Sequence, residues 1–418
     1  MLILIFLAGL MIYAGYGLAG AAWLLASAVI SYTVGLLLPK YPKLLWPSVG
    51  LSALILILVK LQPVTGMSWA APMGISYFML RLISYQADIY KGRLTPEKNF
   101  LRYGLYVTYL PNLFLGPIER YDKFCRDAFV YRRITWDGIS GGAIRLLWGL
   151  FKKLVIAARA GVIVGAISAD PDRYSGAYAF FAMVMYSLQL YADFSGGIDM
   201  VLGVSAMLGI FQSENFRTPY FSQTVAEFWR RWHITLGAWL REYVYIPLGG
   251  SRRGKLRKAV NTLVTFTVSG LWHGIHYVLW GLFNGIFVFL GDRLKTPWKL
   301  GNQLLTFLII SLLWSFFVWP DTGTALKMMG SVVTVWNWGD LAANFFQLGL
   351  NGGEWLVLAV AAALLWLCDW KKQKISNFLG AAGPALRVAI VCTLGLVILI
   401  FGMYGIGFNA EAFIYSKF

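Results

Sequence analysis

The sequence predicts an all-α, polytopic membrane protein. Hydrophobic residues make up 58% of its 418 residues and charged residues only 13%. Charge-free apolar runs of bilayer-spanning length recur from one end of the chain to the other. Charge at roughly half the ~25% typical of soluble domains cannot cover a water-facing surface of this size. The mean hydropathy of +0.64 agrees. So do the 18 Trp and 22 Tyr, which favour the membrane–water interface.

The apolar runs place two helices in 1–39, around Gly15–Gly20, and further helices at 44–59, 61–80, 103–118, 174–192, 300–320, 355–368 and 388–410. Ile139–Leu150 and Ile198–Ile210 read as shorter helices, and 259–291 contains no Asp, Glu, Lys or Arg. Ala71-Pro72-Met73-Gly74 and Leu115-Gly116-Pro117-Ile118 interrupt two of these regions. Non-helical backbone at membrane depth is tolerated only inside protein or beside a water-filled cavity. Both interruptions therefore read as broken or re-entrant helices around an internal funnel. Leu2–Leu10 has the apolar core of a signal peptide, but no charge precedes Lys40, so a retained pair of helices is expected. Without repeats or low-complexity tracts, 1–418 reads as one domain.

The net charge of +17 comes from 36 Lys and Arg against 19 Asp and Glu. The basic residues collect between apolar runs, at 91–102, 120–133, 145–159, 217–258 and 371–374. That is the positive-inside pattern and predicts a cytoplasmic face for these segments. Such loops also attract anionic lipids or an anionic cofactor. Nothing resembles a nucleic-acid-binding module. Cys125, Cys368 and Cys392 are scattered, with no CxxC pair, and suggest neither a disulfide framework nor a thiolate metal site. Within 217–258, Val225, Trp229, Trp232, Leu236, Trp239 and Tyr243 recur at steps of four and three, the signature of one amphipathic helix. It either lies in the interface or packs on the protein body with a solvated basic face.

Only three histidines are present, His233, His273 and His276. The last two fall inside the charge-free run 259–291, where an ionisable side chain is costly and by default marks a functional site. Gly270 and Gly274 flank His273 and allow close approach to its backbone. The alternative for each is a buried neutral imidazole satisfied by hydrogen bonds. His233, at the edge of the apolar face, reads equally as structural or functional. His273 and His276, at i and i+3, would share a helix face. With no carboxylate or thiol close by and no HExxH, a metal site is not expected. GxSxG and GxxxxGK[ST] are absent. A transporter would also use broken helices, but the expected internal symmetry is missing. Asp193, in an otherwise apolar stretch, either orients a histidine or loop, or caps a helix.

Several segments together resemble the membrane-bound O-acyltransferase family. They are Pro72-Met73-Gly74-Ile75-Ser76-Tyr77-Phe78, Leu115-Gly116-Pro117-Ile118-Glu119-Arg120-Tyr121, Asp193-Phe194-Ser195-Gly196 and Glu214-Asn215-Phe216. Glu227-Phe228-Trp229-Arg230-Arg231-Trp232-His233, Trp239–Gly250 and Gly270-Leu271-Trp272-His273-Gly274 follow. In order, they cover most of 70–285 and resemble most the bacterial branch with the alginate and peptidoglycan O-acetyltransferase membrane subunits. The resemblance implies a ring of tilted helices around a central funnel. It assigns the family's invariant histidine to His273 and its second histidine to His233, and matches none to His276. Trp229, Arg230, Arg231, Trp232, Asn215, Asp193 and Trp272 are candidates for a substrate tunnel or donor site, and His276 joins them by its position in the charge-free run alone.

The resemblance further implies an acyl thioester donor, acetyl-CoA from the cytoplasm, with no tightly bound cofactor. D-alanyl-transferring members share the histidine segments but differ around Ile246–Gly250, which favours acetyl. A neutral imidazole, with an ordinary pKa near ~6.5, suits removal of a proton from an acceptor hydroxyl. The expected function is O-acetylation of an exopolysaccharide or cell-wall polymer at a bacterial plasma membrane. With almost no soluble domain of its own, the chain is expected to pass the acyl group to an extracytoplasmic partner of the Ser-His-Asp esterase (SGNH) type. The aromatic tail Phe413–Phe418 is expected to assist that hand-over.

Overall fold

The computed structural model describes residues 2–65, 72–130 and 134–404, and no strand occurs among them. The tail Phe413–Phe418 lies outside the described residues, as do parts of the expected helices 61–80 and 388–410. The N-terminal apolar run forms α1 (Leu2–Gly15) and α2 (Leu18–Leu37), followed by α3 (Leu45–Thr65) and α4 (Ile75–Tyr90). Sequence placed a boundary between 44–59 and 61–80 at Lys60. Instead α3 runs through Lys60, because lysine is a good helix former and breaks nothing in the backbone.

Helix α4 continues well beyond the expected end at residue 80, through Arg81 and Asp88. Arg81 is almost fully buried and donates to the carbonyls of Tyr106 (3.1 Å) and Asn112 (2.9 Å). Those carbonyls belong to the break between α5 (Phe100–Thr108) and α6 (Pro111–Phe114). Pro111 has no N–H to continue the ladder, and Arg81 supplies donors to one carbonyl on each side of the break. The region 103–118 is thus broken, as its Gly and Pro content implied.

Next come α7 (Tyr121–Ala128), α8 (Trp136–Phe151), a π-helical turn (Lys152–Ala157), α9 (Ala158–Ser168) and α10 (Ala177–Met207). Sequence separated 174–192 from 198–210, whereas α10 is one helix of 31 residues. Its two acidic interruptions are neutralised from the π-helical turn. Lys153 pairs with Asp193 at 2.7 Å, and Lys152 with Asp199 at 2.5 Å. Asp193 is therefore neither a cap nor a loop anchor but a mid-helix member of an ion pair. Arg145 adds bonds to Asp199 (3.0 Å) and Glu214 (2.7 Å), and Lys152 also donates to Ser195. Paired charges of this kind are the form in which apolar surroundings tolerate ionised groups. The helices α8 and α10 approach closely at Gly142 and Gly203, where a Cβ on either would meet the other's carbonyl oxygen at 2.6 Å.

The remaining elements are α11 (Val225–Arg231), α12 (Ile234–Leu240), a second π-helical turn (Arg241–Tyr245), α13 (Gly254–His273), α14 (Val278–Leu290) and α15 (Lys299–Leu313). The chain ends with α16 (Ser315–Val318), α17 (Thr322–Thr334), α18 (Trp338–Asn344), α19 (Gly352–Trp370), α20 (Lys372–Ala381) and α21 (Pro384–Phe401). Among the described residues, five helical stretches are long and apolar enough to cross a membrane: Leu18–Leu37, Pro42–Gln62, Lys299–Val318, Gly352–Trp370 and Pro384–Phe401. Buried side chains form one core among α8–α19 and α21, a second among α1–α7, and a small third linking α4 to α12 through Tyr77, Leu80, Leu236 and Trp239.

Candidate active site

The 225–243 periodicity does not produce one helix. The segment breaks at Trp232–His233, where His233 adopts a left-handed backbone (φ 45°, ψ 53°). Among the described residues only Thr218 is another non-glycine with positive φ. The cause lies in Asn215, which is completely buried. Its backbone carbonyl accepts the Ile234 N–H (3.0 Å), and its side-chain oxygen accepts the Thr235 N–H (3.0 Å) and hydroxyl (2.7 Å). Two N–H groups that a continuous helix would spend internally are thus captured from outside. Val225, Trp232, Leu236 and Trp239 face the core, so this stretch packs on the protein body rather than presenting its apolar side to lipid.

His233 is 3% exposed, enclosed by Phe194 (ring centroids 4.9 Å), Tyr77 (6.4 Å) and Trp272 (6.4 Å). His273 is the last residue of α13 and 5% exposed. Its ring meets Trp272 (4.8 Å), Trp280 (5.4 Å), Phe317 (5.7 Å) and Tyr277 (6.3 Å). Trp272 therefore lies between the two histidines, its N–H directed to the Ser76 carbonyl at 3.4 Å.

The hairpin of α13 and α14 sets the position of His273. Gly270 and Gly281 make its close approach possible, since a Cβ on Gly270 would strike the Tyr277 carbonyl and one on Gly281 the Phe266 carbonyl. At the turn, Gly274 takes φ 151°, ending α13 directly after the histidine. His276 consequently leaves the helix. It sits exposed on a 3₁₀ turn, so the expected shared face of His273 and His276 does not exist.

Other sequence candidates divide cleanly. Trp229 donates to Asn284 (3.0 Å) and packs on Trp280, while Trp232 joins the cluster of Phe194, Phe216 and Trp314. Arg231 pairs with Glu227 at 2.5 Å, and Arg230 is exposed. Arg217, Arg241, Arg252, Arg253, Lys255, Arg257 and Lys258 are exposed as well, a basic surface rather than a lining of the histidine chamber.

Sequence reasoning passed over two residues. Lys60 is half-buried on α3, inside an otherwise apolar helix. A lone lysine in an apolar run was the available signal. Trp280 carries no sequence signal, being one of 18 tryptophans, and only the hairpin brings it to His273. Among the described residues no group of three or more His, Cys, Asp or Glu gathers in a metal-binding arrangement.

The arrangement pairs two buried imidazoles within an aromatic enclosure, one on a strained turn and one on a rigid hairpin. Proton transfer to or from a bound hydroxyl is the chemistry available to such groups.

Residues 92–320 match the model of the membrane-bound O-acyltransferase family. The chain is 34% identical over 327 residues to a probable alginate O-acetylase of Pseudomonas fluorescens, covering 76% of this chain and 66% of that protein. It is 31% identical over 384 residues to a peptidoglycan O-acetyltransferase of Helicobacter pylori, covering 78% and 72%. A teichoic acid D-alanyltransferase of Bacillus subtilis is 27% identical over 266 residues, covering 58% and 66%. Against three alginate O-acetylases the match extends over 57% to 66% of their length. By family match and by similarity over most of its length, the chain belongs to the membrane-bound O-acyltransferase family.

Proposed function

We propose that the protein transfers an acetyl group from a cytoplasmic thioester, acetyl-CoA, to a hydroxyl acceptor, in the O-acetylation of an exopolysaccharide or cell-wall polymer at a bacterial plasma membrane. The observation that carries this reading is the convergence of His273 and His233 on Trp272 in an enclosure of aromatic rings. The relatives named alginate O-acetylase and peptidoglycan O-acetyltransferase support the acetyl group and the polymer class.

His273 acts as general base. It removes the acceptor hydroxyl's proton as the oxygen attacks the thioester carbonyl carbon, and returns it to the departing thiolate. Water-poor surroundings favour a neutral imidazole, the form that can accept a proton. His233, held by the Asn215-braced turn, positions the reacting groups beside Trp272. An extracytoplasmic esterase-like partner receives the acyl group and delivers it to the polymer.

The test uses purified protein in proteoliposomes with radiolabelled acetyl-CoA. Label appearing as ester-linked acetate on added polysaccharide or partner, and absent with His273→Ala, is the expected result. Uptake of intact polysaccharide without acetyl transfer would instead make the protein a transporter. The D-alanyl relative motivates a second arm, in which a D-alanyl carrier-protein thioester replaces acetyl-CoA.

A further inference from the structure

Around the two histidines the fold leaves buried hydrogen-bond donors without acceptors. The indole N–H of Trp280 is one, on a residue only 2% exposed. The hydroxyl of Tyr77, against the His233 ring, is another. A buried donor without an acceptor costs about 1–3 kcal/mol, so a native structure satisfies it with a water, an ion or a ligand, and beside the two histidines a ligand is at hand.

Trp280 is also held from several sides. Its carbonyl accepts from the Asn284 side chain at 2.9 Å, and that side chain's oxygen accepts the Trp229 indole at 3.0 Å. Its ring stacks on Trp314 (5.8 Å, 22°) and meets Trp229 and Phe317 edge-on. The adjoining Gly281 sits against the Phe266 backbone, fixing α14 on α13. The ring centroid lies 5.4 Å from that of His273, with the planes at 86°. Rigid placement is what separates an electrostatic catalyst from a passing contact, since such a donor needs no reorganisation when charge develops.

We infer that the Trp280 N–H binds the carbonyl oxygen of the acyl thioester and stabilises the oxyanion formed beside His273. This rests on the acyl-transfer reading above. As the acceptor oxygen bonds to the carbonyl carbon, the C=O π electrons move to oxygen, where the indole N–H donates to them. Collapse re-forms the C=O and breaks the C–S bond. The thiolate leaves with the proton held by His273, giving an ester and a free thiol.

The test compares Trp280→Phe, which keeps a ring in place, with wild type and with Trp355→Phe. Trp355 is also a buried indole without an acceptor, but it stacks on Phe345 rather than near a histidine. Hydrolysis of acetyl-CoA by the proteoliposomes forms the same oxyanion whatever the natural acceptor, so it serves beside the transfer assay. The expected result is a fall in kcat of about 10²–10³-fold for Trp280→Phe, with KM for acetyl-CoA little changed. Trp355→Phe should keep the wild-type rate.

The infrared band of bound [¹³C]carbonyl acetyl-CoA should lie at lower frequency in wild type than in Trp280→Phe. If Trp280→Phe fails to fold, 3-benzothienylalanine at position 280 replaces the N–H by sulfur in a ring of nearly the same shape. Retention of more than about a third of wild-type kcat in a folded variant, or an unchanged carbonyl band, overturns the inference. So does an equal loss in Trp355→Phe. If His273→Ala keeps its rate while Trp280→Phe loses it, the base assignment falls and the carbonyl site stands.

Discussion

In the proposed mechanism, His273 is the residue on which most of the chemistry depends. General-base assistance is typically worth ~10²–10⁴-fold in rate. His273→Ala should therefore lower transfer by at least about a hundredfold at matched expression, with normal elution from a sizing column. His276→Ala, on an exposed turn, should stay within about twofold of wild type. At His233, backbone and side chain can be separated. A left-handed conformation costs roughly 1–2 kcal/mol for a residue with a Cβ, and glycine escapes that cost. Both His233→Ala and His233→Gly lose the ring, but only glycine relieves the backbone. His233→Gly should melt above His233→Ala, the reverse of the order inside an ordinary helix, where alanine is better by about 1 kcal/mol. Equal melting temperatures would mean that the turn is not under strain. The sequence pointed to His273 through its setting alone, because a histidine amid charge-free residues stands out. It said nothing of the His233 backbone, which depends on Asn215, 18 positions earlier.

At the scale of elements, the helix pairs with glycine contacts and ion pairs are the vulnerable ones. Gly281→Val would push a branched side chain against the Phe266 carbonyl and prise α14 from α13. Overpacking of this kind costs about 1–3 kcal/mol. It should lower the melting temperature and, by displacing Trp280 and His273 together, reduce the rate more than the stability loss alone explains. Asp199→Ala removes the carboxylate shared by Lys152 and Arg145. Losing one member of a buried ionic group costs about 3–5 kcal/mol, so a large drop in thermal stability in detergent is expected, and an unchanged melt would argue that water reaches the network. These elements also show what a sequence withholds. Apolar runs gave α1, α2, α8 and α19 within a few residues, whereas α21 ends at Phe401, nine residues before the expected end at 410. The joining of 174–192 to 198–210 depended on Lys152 and Lys153, 40 and more residues away, which makes Asp193 and Asp199 affordable within one helix. The break in 225–243 went the other way, since perfect periodicity was overridden by a distant asparagine.

For the whole molecule the open quantity is orientation in the bilayer. The exposed basic residues at 252–258, with those at 91–102 and 371–374, should face the cytoplasm. In a chain stripped of Cys125, Cys368 and Cys392, single cysteines at Lys98, Arg253 or Lys372 should resist a membrane-impermeant thiol reagent in intact cells. Ready labelling of Arg253→Cys would invert the arrangement and move the donor site to the outer face.

That orientation gives the length of α13 a meaning. The helix begins at the exposed basic loop and ends, 20 residues later, at His273. At 1.5 Å per residue it is about 30 Å long, close to the thickness of a bilayer's hydrocarbon core. With its basic end at the cytoplasmic face, as proposed, a cytoplasmic donor would have to reach along α13 to meet His273. A thioester carried on a slender, extended arm meets that requirement, and a compact activated acetate such as acetyl phosphate does not. On the proposed orientation, the helix would work as a ruler that selects donors by reach before any contact with the acyl group is made.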